Sequence, residues 1–377
     1  MTEKQVNTIR AKVQKEALKS IELNTGKGSL LVMATGAGKS KIPIDYAKKK
    51  KNKVKSIALI VPTERLRDEG WHNEFIKWGA QDLWANVTSL CYASASKIAL
   101  QKFDLVILDE SHNITQLSAT FFINNKFNKI IALTATPPKE YEKQELLSRI
   151  GLRKTYELPL DKAVELGFVA PYKITVYYTK LNNIDKNVIA GSKDKPFYQT
   201  EFANYNWINN QIIQMEFEGK MGTPKYNMFL LKRMRAIYNS RSKTAQTTRI
   251  LREIPMTDRT LIFCGSIEQA ESVCPYTYHS KNGRKDIDDF VNLKINRLSC
   301  VSALNEGENL PGIDSAIITQ VNSKERTLVQ RIGRLIRYRP NHEAHIHIIC
   351  CKDTQDEVWL GKAMENIDKS IIEFKYI

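Results

Sequence analysis

Two groups of residues have the types and the spacing of a nucleotide-hydrolysing site. The first is the segment MATGAGKS at 33–40, which follows the apolar run SLLV and precedes a helix-forming stretch. Gly36 and Gly38 allow backbone N–H groups to surround a phosphate, and Lys39 adds a positive charge. Met33 replaces the first glycine of the general pattern GxxxxGKS, but the context is the one that a phosphate-binding loop requires. The residues predicted to bind the nucleotide here are Thr35, Gly36, Ala37, Gly38, Lys39 and Ser40.

The second group is a pair of carboxylates, Asp109 and Glu110, at the end of the apolar run FDLVILDE. In an open parallel sheet, the carboxyl end of this strand lies beside the phosphate loop. Asp109 and the Ser40 hydroxyl are then suited to hold Mg²⁺, and Glu110 to orient and deprotonate an attacking water. The pair alone also fits a solvated strand end. Together with the loop it predicts phosphoryl transfer to water from a bound nucleotide, with Mg²⁺ as the metal.

Short apolar runs alternate with helix-forming stretches in two series, and this alternation predicts an α/β fold with two domains. The first series is SLLVMA, SIALIVP, FDLVILDE and KIIALTAT, and the second is RTLIFCGS, RLSCVSAL, DSAIITQV and HIHIICC. We expect each domain to contain a mostly parallel sheet flanked by helices. The segment 171–227 is richer in Asn, Lys and aromatics and predicts an insertion or linker. The expected boundaries are therefore 1–170, 171–227 and 228–377.

Composition excludes several classes of protein. The 377 residues are 42% hydrophobic and carry a formal charge of +16, which argues against a disordered chain and favours a nucleic-acid partner. No apolar run approaches membrane-spanning length and the first twenty residues are charged, so we expect a soluble, cytoplasmic protein without membrane contact. Six cysteines show no CxxC pair, which predicts reduced core thiols and no zinc module.

Four segments resemble the motifs of superfamily 2 helicases and translocases in order and spacing. They are ATGAGKS, DESH, LTATP at 133–137 and QRIGRLIR at 330–337. The match extends over about 1–170 and 230–377. Within the superfamily, the chain looks most like compact bacterial and phage DEAD/DEAH-type enzymes related to the motor of restriction-enzyme R subunits, with HSK at 279–281 and LNEGENLPGID at 304–314 as further similarities. The resemblance implies two RecA-like domains that form an ATP-driven nucleic-acid motor.

The resemblance also assigns roles around the nucleotide. Arg334 and Arg337 would be arginine fingers that the second domain supplies to the γ-phosphate, and Gln330 a partner of the nucleotide or of that network. Arg10 and Gln14 resemble the adenine-reading element ahead of the phosphate loop, with a gap one residue longer than usual.

Nucleic-acid contacts, and their coupling to the nucleotide, would come from loops at strand ends. Thr134 and Thr136 resemble the motif that links the nucleotide state to the nucleic-acid groove. In the fifth motif Val301 stands where relatives often have Thr, so Ser302 is the expected substitute. The complete set is Pro62, Thr63, Arg65, Tyr92, Ser94, His112, Thr134, Thr136, Gly265, Ser266, Ser302, Asn305 and Gly307.

The function that the resemblance implies is that of a DNA helicase, a monomer that hydrolyses ATP to translocate on or unwind DNA. DESH in place of DEAD, and the absence of the aromatic-and-glutamine element of DEAD-box RNA enzymes, favour DNA over RNA. A double-stranded DNA translocase, a branch-migration enzyme and an RNA helicase are alternatives. An alternative of another class is a P-loop NTPase that acts as a switch or scaffold.

Three further groups of residues allow two interpretations each. Aromatics interleaved with lysines either stack on unpaired bases or pack within the insertion: Phe197, Tyr198, Phe202, Tyr205 and Trp207, with Lys193 and Lys195. Basic residues near the start of the second domain either track phosphates or provide solubility: Lys232, Arg233, Arg235, Arg241 and Lys243. His345 and His347 share one strand face, for which ordinary strand packing is a better prediction than a metal site.

Overall fold

Parallel pairing of the apolar runs builds two separate sheets in the computed structural model of the chain. The structure describes residues 2–138, 140–192, 194–301, 310, 312–321, 342–365 and 367–376. The chain divides into two units, the first over residues 1–171 and the second mainly from residue 172 onward. The predicted α/β class, with two mostly parallel sheets flanked by helices, is confirmed.

The first unit contains a six-stranded sheet. Its strands are β1 (Gly28–Met33), β2 (Ile57–Val61), β3 (Val87–Cys91), β4 (Lys102–Leu108), β5 (Lys126–Thr134) and β6 (Leu152–Leu158). They pair in the order β3-β2-β4-β5-β1-β6, and every pair is parallel. β1 and β2 are buried along their whole length because helices cover both faces of a parallel sheet.

Eight helices belong to this first unit among the described residues. They are α1 (Glu3–Leu23), α2 (Lys41–Lys49), α3 (Trp71–Lys77), α4 (Gln81–Trp84), α5 (Tyr92–Ala95), α6 (Gln116–Asn124), α7 (Tyr141–Arg149) and α8 (Leu160–Glu165). A π-helical turn at Leu66–Gly70 leads directly into α3, and a 3₁₀ turn at Ser111–Asn113 follows β4. Thr2 begins α1 with a capping box, in which its side chain and that of Gln5 each accept from the other's backbone N–H.

The second unit contains a seven-stranded parallel sheet and a separate hairpin. The sheet strands are β7 (Tyr172–Thr179), β10 (Thr260–Phe263), β11 (Thr277–Tyr278), β12 (Arg297–Cys300), β13 (Ser315–Ile318), β14 (Ala344–Cys351) and β15 (Ile372–Tyr376). Their order is β11-β12-β10-β13-β14-β7-β15. The hairpin pairs β8 (Val188–Ser192) with β9 (Lys195–Gln199) in antiparallel register.

Six helices accompany these strands in the described part of the second unit. They are α9 (Glu201–Phe217), α10 (Pro224–Tyr238), α11 (Arg241–Glu253), α12 (Ile267–Val273), α13 (Lys285–Val291) and α14 (Gln355–Ala363), and a 3₁₀ turn lies at Lys369–Ile371. No helix in the described ranges is long and apolar enough to cross a membrane.

The predicted insertion at 171–227 differs from the structure at both of its ends. β7 pairs with β14 along eight residues and with β15 on its other side, so 172–179 lies inside the second sheet. Ile174 and Val176 are fully buried there. α10 begins at Pro224, ahead of the expected boundary, because Thr223 caps it and a proline suits the first helical turn. The segment outside the sheet is therefore the β8–β9 hairpin with α9.

A buried ion pair joins α11 to the first turn of α14. Lys243 Nζ lies 2.6 Å from Asp356 Oδ2 and donates to the carbonyl of Thr319 at 2.7 Å. Both charged side chains are almost completely buried. Asp356 also accepts from the backbone N–H of Cys351. Lys243 therefore holds the interior of the second unit together, and it neither tracks phosphates nor provides solubility.

Removing one partner of this pair should destabilise the fold strongly. Asp356→Ala leaves Lys243 buried without its counter-charge, which costs about 3–5 kcal/mol. The exposed pair Arg284–Asp288 supplies a matched control, because Asp288→Ala removes a carboxylate that contributes at most about 1 kcal/mol. Urea denaturation measures both variants. Equal midpoints for the two would contradict the importance of the buried pair.

Two histidines on β14, whose rings are tilted by 38° to each other, are expected to make the second sheet sensitive to acid. The rings of His345 and His347 lie 3.8 Å apart, His345 contacts the hydroxyl of Thr175, and His347 contacts that of Tyr177. Burial lowers the pKa of His345 to about 4 and that of His347 to about 3, with further lowering by Lys173 and Lys375, while Glu373 acts in the opposite direction on His345. No group of three or more potential metal ligands forms anywhere in the described residues.

The chain should therefore lose stability as the pH falls from about 6.5 towards 4. The folded state keeps both imidazoles neutral in this range while the unfolded chain binds protons, so each histidine contributes a slope of up to about 1.4 kcal/mol per pH unit. Urea denaturation at several pH values tests this. His345→Gln/His347→Gln should flatten the dependence, whereas His72→Gln, on α3 of the first unit, should retain it. A wild-type stability that is constant over this range would refute the expectation.

Candidate active site

The phosphate loop lies where the sequence predicts it, between the end of β1 and the start of α2. Gly36 and Gly38 adopt φ values of +85° and +75°, a backbone conformation that other residues rarely adopt. A Cβ atom at Gly38 would lie 2.5 Å from the side-chain nitrogen of Gln14. The loop thus has a tight backbone conformation that favours glycine at both positions.

Gln14 fastens α1 to this loop. Its side chain is buried, and its amide donates to the carbonyls of Ala37 and Gly38 at 3.2 and 3.3 Å. One turn earlier, the Arg10 guanidinium lies over the ring of Phe168 at 5.2 Å. The structure therefore brings both members of the predicted adenine-reading element to the loop, and base recognition itself stays a prediction.

The two polar side chains at the end of the loop contact neighbouring elements. Lys39 Nζ donates to the carbonyl of Met33 at 3.1 Å. Ser40 Oγ donates to Glu74 on α3 at 2.5 Å, and Glu74 also accepts from the indole of Trp78 at 2.9 Å. Glu74 is a residue of the site that the sequence reasoning missed.

Asp109 accepts three hydrogen bonds at the carboxyl end of β4. The indole of Trp71 donates to its carboxylate at 2.9 Å, the backbone N–H of Glu110 donates to the other carboxylate oxygen, and the Tyr92 hydroxyl donates to its carbonyl. Burial and the neighbouring Glu110 raise the pKa of Asp109 to about 6, while Trp71 and Lys39 oppose the increase. Two adjacent carboxylates in a partly buried site favour a bound divalent cation.

Glu110 occupies a strained backbone conformation. Its φ of +46° and ψ of 56° are left-handed, which is uncommon for a residue with a long side chain. Its side chain is only 15% exposed, and Oε2 has no hydrogen-bond partner among the described residues, although His112 Nδ1 lies 3.5 Å away. A buried carboxylate oxygen without a hydrogen-bond donor is suited to accept a proton from a substrate water.

A chain of hydrogen bonds runs from His112 to the end of β5. His112 is buried, and its Nδ1 lies 3.0 Å from Thr134 Oγ1. Thr134 in turn donates to the carbonyl of Thr136 at 2.8 Å. Because the single hydroxyl proton of Thr134 is used there, His112 must donate through a protonated Nδ1. The DESH and TAT motifs are therefore directly connected.

The remaining predicted positions of the first unit lie near the ends of β2 and β3. Thr63 precedes the π-helical turn, and its hydroxyl accepts from the backbone N–H of Leu66. Pro62 is partly exposed, and Arg65 is exposed. Ser94 donates to the carbonyl of Cys91. Tyr92 is buried and supports Asp109 through its hydroxyl. A contact from these residues to nucleic acid stays a prediction.

In the second unit, Gly265 and Ser266 lie between β10 and α12. Gly265 packs against Tyr238, where a Cβ atom would approach the Tyr238 Cβ to 2.7 Å. Ser266 caps α12 by accepting from the backbone of Gln269. Six further predicted residues lie outside the described residues, and their roles remain predictions: Ser302, Asn305, Gly307, Gln330, Arg334 and Arg337.

Trp71 and Glu74 are the functional neighbours that the sequence did not indicate. They approach Asp109 and Ser40 from α3, across 38 and 34 residues of chain. On a short helix, a tryptophan normally indicates a core position and a glutamate a surface position. No local pattern therefore distinguishes them.

The fold and this site together define a class of protein. The ends of β1, β5 and β4 are adjacent in the sheet, and they carry the phosphate loop, the TAT motif and the carboxylate pair. A phosphate loop beside paired carboxylates on a parallel sheet is the nucleotide site of a RecA-like P-loop NTPase.

Comparisons with known proteins narrow this class. Residues 7–139 match the family described as type III restriction enzyme, res subunit, and residues 242–339 match the helicase conserved C-terminal domain. The DNA 3′–5′ translocase XPB2 of Sulfurisphaera tokodaii is 24% identical over 362 residues, which cover 88% of this chain and 79% of the relative. The chain is thus similar to the superfamily 2 helicases and translocases, and it is an ATP-hydrolysing motor enzyme.

Solved structures share the fold. The type ISP restriction-modification enzyme LlaBIII bound to DNA gives a TM-score of 0.62 at 15% identity, covering 98% of this chain. This chain spans 31% of that enzyme's length. The helicase domain of Pyrococcus furiosus Hef gives 0.52 at 15% identity, covering 94% of this chain and 96% of that one. S. cerevisiae Dbp5 bound to RNA and ADP BeF3 gives 0.60 at 13% identity, covering 99% and 92%.

Variants at Lys39 and Glu110 should separate binding from hydrolysis. Lys39→Ala removes a charge that contacts the nucleotide in its ground state, so ATP affinity should fall about 10- to 100-fold. Glu110→Gln should retain ATP affinity and lose at least about 100-fold in turnover, because it acts on the attacking water. Equilibrium nucleotide binding and steady-state ATPase rates measure the two effects.

Glu142→Gln supplies the control, because Glu142 is an exposed carboxylate in the first turn of α7. It should match the wild type in both assays. An equal loss of ATP affinity in Lys39→Ala and Glu110→Gln would contradict the separate roles.

Proposed function

We propose that this chain is a DNA motor that uses ATP hydrolysis to translocate on or unwind DNA. The observation that carries the proposal is the hydrogen-bonded chain from His112 through Thr134 to Thr136, which begins beside Glu110. It connects the residue that activates water to the end of the next strand. A change at the nucleotide is thereby transmitted to a loop that the resemblance assigns to nucleic acid.

The residues of the first unit fit Mg²⁺ and ATP. The glycine backbone at 36 and 38 leaves room for phosphates. The pKa of Asp109 is raised first by burial and then by repulsion from Glu110, and a bound divalent cation would favour the charged carboxylate against both. Lys39 would contact the phosphates, and Ser40 and Asp109 would hold the metal. Mg²⁺ supplies neutralisation of the charge that develops on the phosphate oxygens.

Each protein group then has a defined task in hydrolysis. Glu110 accepts the proton of the attacking water at its free oxygen Oε2, which lies 3.5 Å from His112 Nδ1. Trp71 and Tyr92 keep Asp109 in place, while Gln14 keeps the loop closed. We propose that Arg334 and Arg337 act as arginine fingers, with Gln330 as a partner of the nucleotide.

Several observations favour DNA as the track. The relative from Sulfurisphaera tokodaii is named as a DNA translocase, and the LlaBIII structure contains DNA. The chain carries a formal charge of +16, which suits a polyanion. We further propose that the protein is a cytoplasmic monomer that acts in DNA replication, recombination or repair. A phage genome is included among the proposed sources. Dbp5 bound to RNA shares only the fold, so RNA is the alternative outcome of the test.

DNA should stimulate the ATPase in a manner that depends on salt. Rates measured with single-stranded, duplex and forked DNA and with RNA should show at least about tenfold stimulation by one of the DNA substrates. DNA affinity should fall at least about tenfold between 50 and 200 mM salt, because phosphate contacts release counterions. Thr134→Val should reduce the stimulation about tenfold, since it removes the hydroxyl that connects His112 to Thr136.

Thr120→Val is the matched control, because the Thr120 hydroxyl contacts only its own helix through the carbonyl of Leu117. Its stimulation should equal that of the wild type. Stimulation by RNA alone would assign the chain to RNA, and an ATPase indifferent to every nucleic acid would support the switch or scaffold.

A further inference from the structure

A cavity of about 700 Å³ lies in the second unit, outside the parallel sheet. The β8–β9 hairpin forms one wall, and α9 and α10 form the other. We name it the hairpin cavity. Its volume lies within the range that accommodates a small organic ligand or a single nucleotide. The residues on which the argument rests are Phe197, Glu201, Trp207, Lys232 and Arg235.

Two aromatic side chains line the hairpin cavity from opposite walls. Phe197 belongs to β9 and is 54% exposed, and Trp207 belongs to α9 and is 52% exposed. The Trp207 ring packs edge-on against Phe229 with centroids 5.8 Å apart, which restricts its orientation. Such large apolar surfaces, exposed towards a cavity, favour a planar ligand that stacks.

The other predicted aromatics do not line the cavity. Tyr198 follows Phe197 on the strand and therefore points to the opposite face. Tyr205 is buried and its hydroxyl accepts from the backbone of Gln355. The predicted cluster thus divides into three groups: the buried Tyr205, the pair Phe197 and Trp207 that lines the cavity, and the exposed Tyr198 and Phe202 that do not line it.

Two cations lie on the α10 side of the same cavity. Lys232 and Arg235 are three positions apart on the helix, so they share one helical face, and both are exposed. Within the described part of the chain, neither forms an ion pair with a carboxylate. Lys232 Nζ instead lies 5.3 Å from the ring of Phe229. This side of the cavity therefore attracts anions.

Glu201 also lines the cavity, but donors surround its carboxylate. It accepts from the backbone N–H of Asn182 and Arg241 and from the hydroxyl of Ser242. The N–H of Arg241 belongs to the first turn of α11, where the helix dipole further compensates a negative charge. Glu201 is thus a structural link, and the two cations dominate the charge at the opening.

We propose that the hairpin cavity binds an unpaired nucleotide of a DNA single strand. The base stacks on Phe197 and Trp207, and the phosphates contact Lys232 and Arg235. Bases inside a duplex are already stacked, so only an unpaired base enters. This inference rests on the proposed function, and it adds a site for the single strand that lies apart from the motor motifs.

Charge removal at the opening tests the phosphate contacts. In the full chain, Lys232→Ala/Arg235→Ala should lower affinity for a labelled oligothymidylate at least about tenfold and reduce the salt slope by about 1.4, the value for two lost contacts with a single strand. Lys225→Ala/Arg252→Ala removes the same charge from exposed positions outside the cavity. The affinity of the control variant for oligothymidylate should change less than about twofold. The affinity of either variant for blunt duplex DNA should also change less than about twofold.

A matched pair on β9 tests the base contact. Phe197→Ala should lower affinity for oligothymidylate about 5- to 100-fold. Tyr198→Ala, next to it on the opposite face and similarly exposed, should bind as the wild type does. The Phe197→Ala variant should bind a strand that lacks bases with the same affinity as the wild type, because this substitution removes only the stacking contact.

The outcomes separate this inference from the proposed function. A wild-type chain that binds no nucleic acid refutes the proposed function. A wild type that binds single strands, while Phe197→Ala and Lys232→Ala/Arg235→Ala bind equally well, refutes the hairpin cavity alone. Equal losses in Phe197→Ala and Tyr198→Ala would also overturn it, as would binding of free thymidine monophosphate as tight as that of the strand.

Discussion

The parallel pairing of β1, β5 and β4 is the constraint on which the nucleotide site depends. Val32 pairs with Thr134, and Leu108 pairs with Ala132, so the three strands end at nearly the same level. A loop, a threonine and a carboxylate pair that are distant in sequence therefore meet at one edge. Any shift of register would move them to different levels and would also exchange the two faces of the strands. The apolar burial of β1 and β4 thus determines the geometry of the polar groups that follow them.

Most polar groups at this edge are held by partners that have no chemical task of their own. Gln14, Trp71, Tyr92 and Glu74 satisfy the loop, Asp109 and Ser40. Glu110 differs, because its backbone is strained and one of its oxygens lacks a hydrogen bond in the described structure. Both features cost free energy of folding. Glu110 is the residue that must accept a proton from water. A strained backbone and an unpaired oxygen at this residue indicate that the site favours catalysis at some cost in stability.

The sequence predicts those parts of the structure that are encoded locally. MATGAGKS and DESH each contain their loop, strand end and reactive groups within a few residues, and the apolar runs identify most strands. The contacts of Trp71 with Asp109 and of Glu74 with Ser40 join separate segments through tertiary packing, so no spacing rule indicates them. The strand β7 was missed because its alternating YKITVYYT adjoins a long polar segment whose composition dominates that region. The aromatic pair of the hairpin cavity was visible only as composition, since strand alternation decides which ring faces inward.

The position of β7 has a consequence for how the second unit is assembled. This strand is synthesised before the helices α9 to α11, yet its partners β14 and β15 follow more than 160 residues later. Contacts between such distant segments form slowly, because a long loop must close before pairing stabilises it. Until then, β7 presents unpaired backbone groups and apolar side chains to its surroundings. A fragment that starts at residue 228 would meet the same problem permanently, since β14 would lose the neighbour along which eight of its residues pair. Such a fragment would be prone to aggregation, whereas a division of the chain at residue 171 keeps each sheet complete.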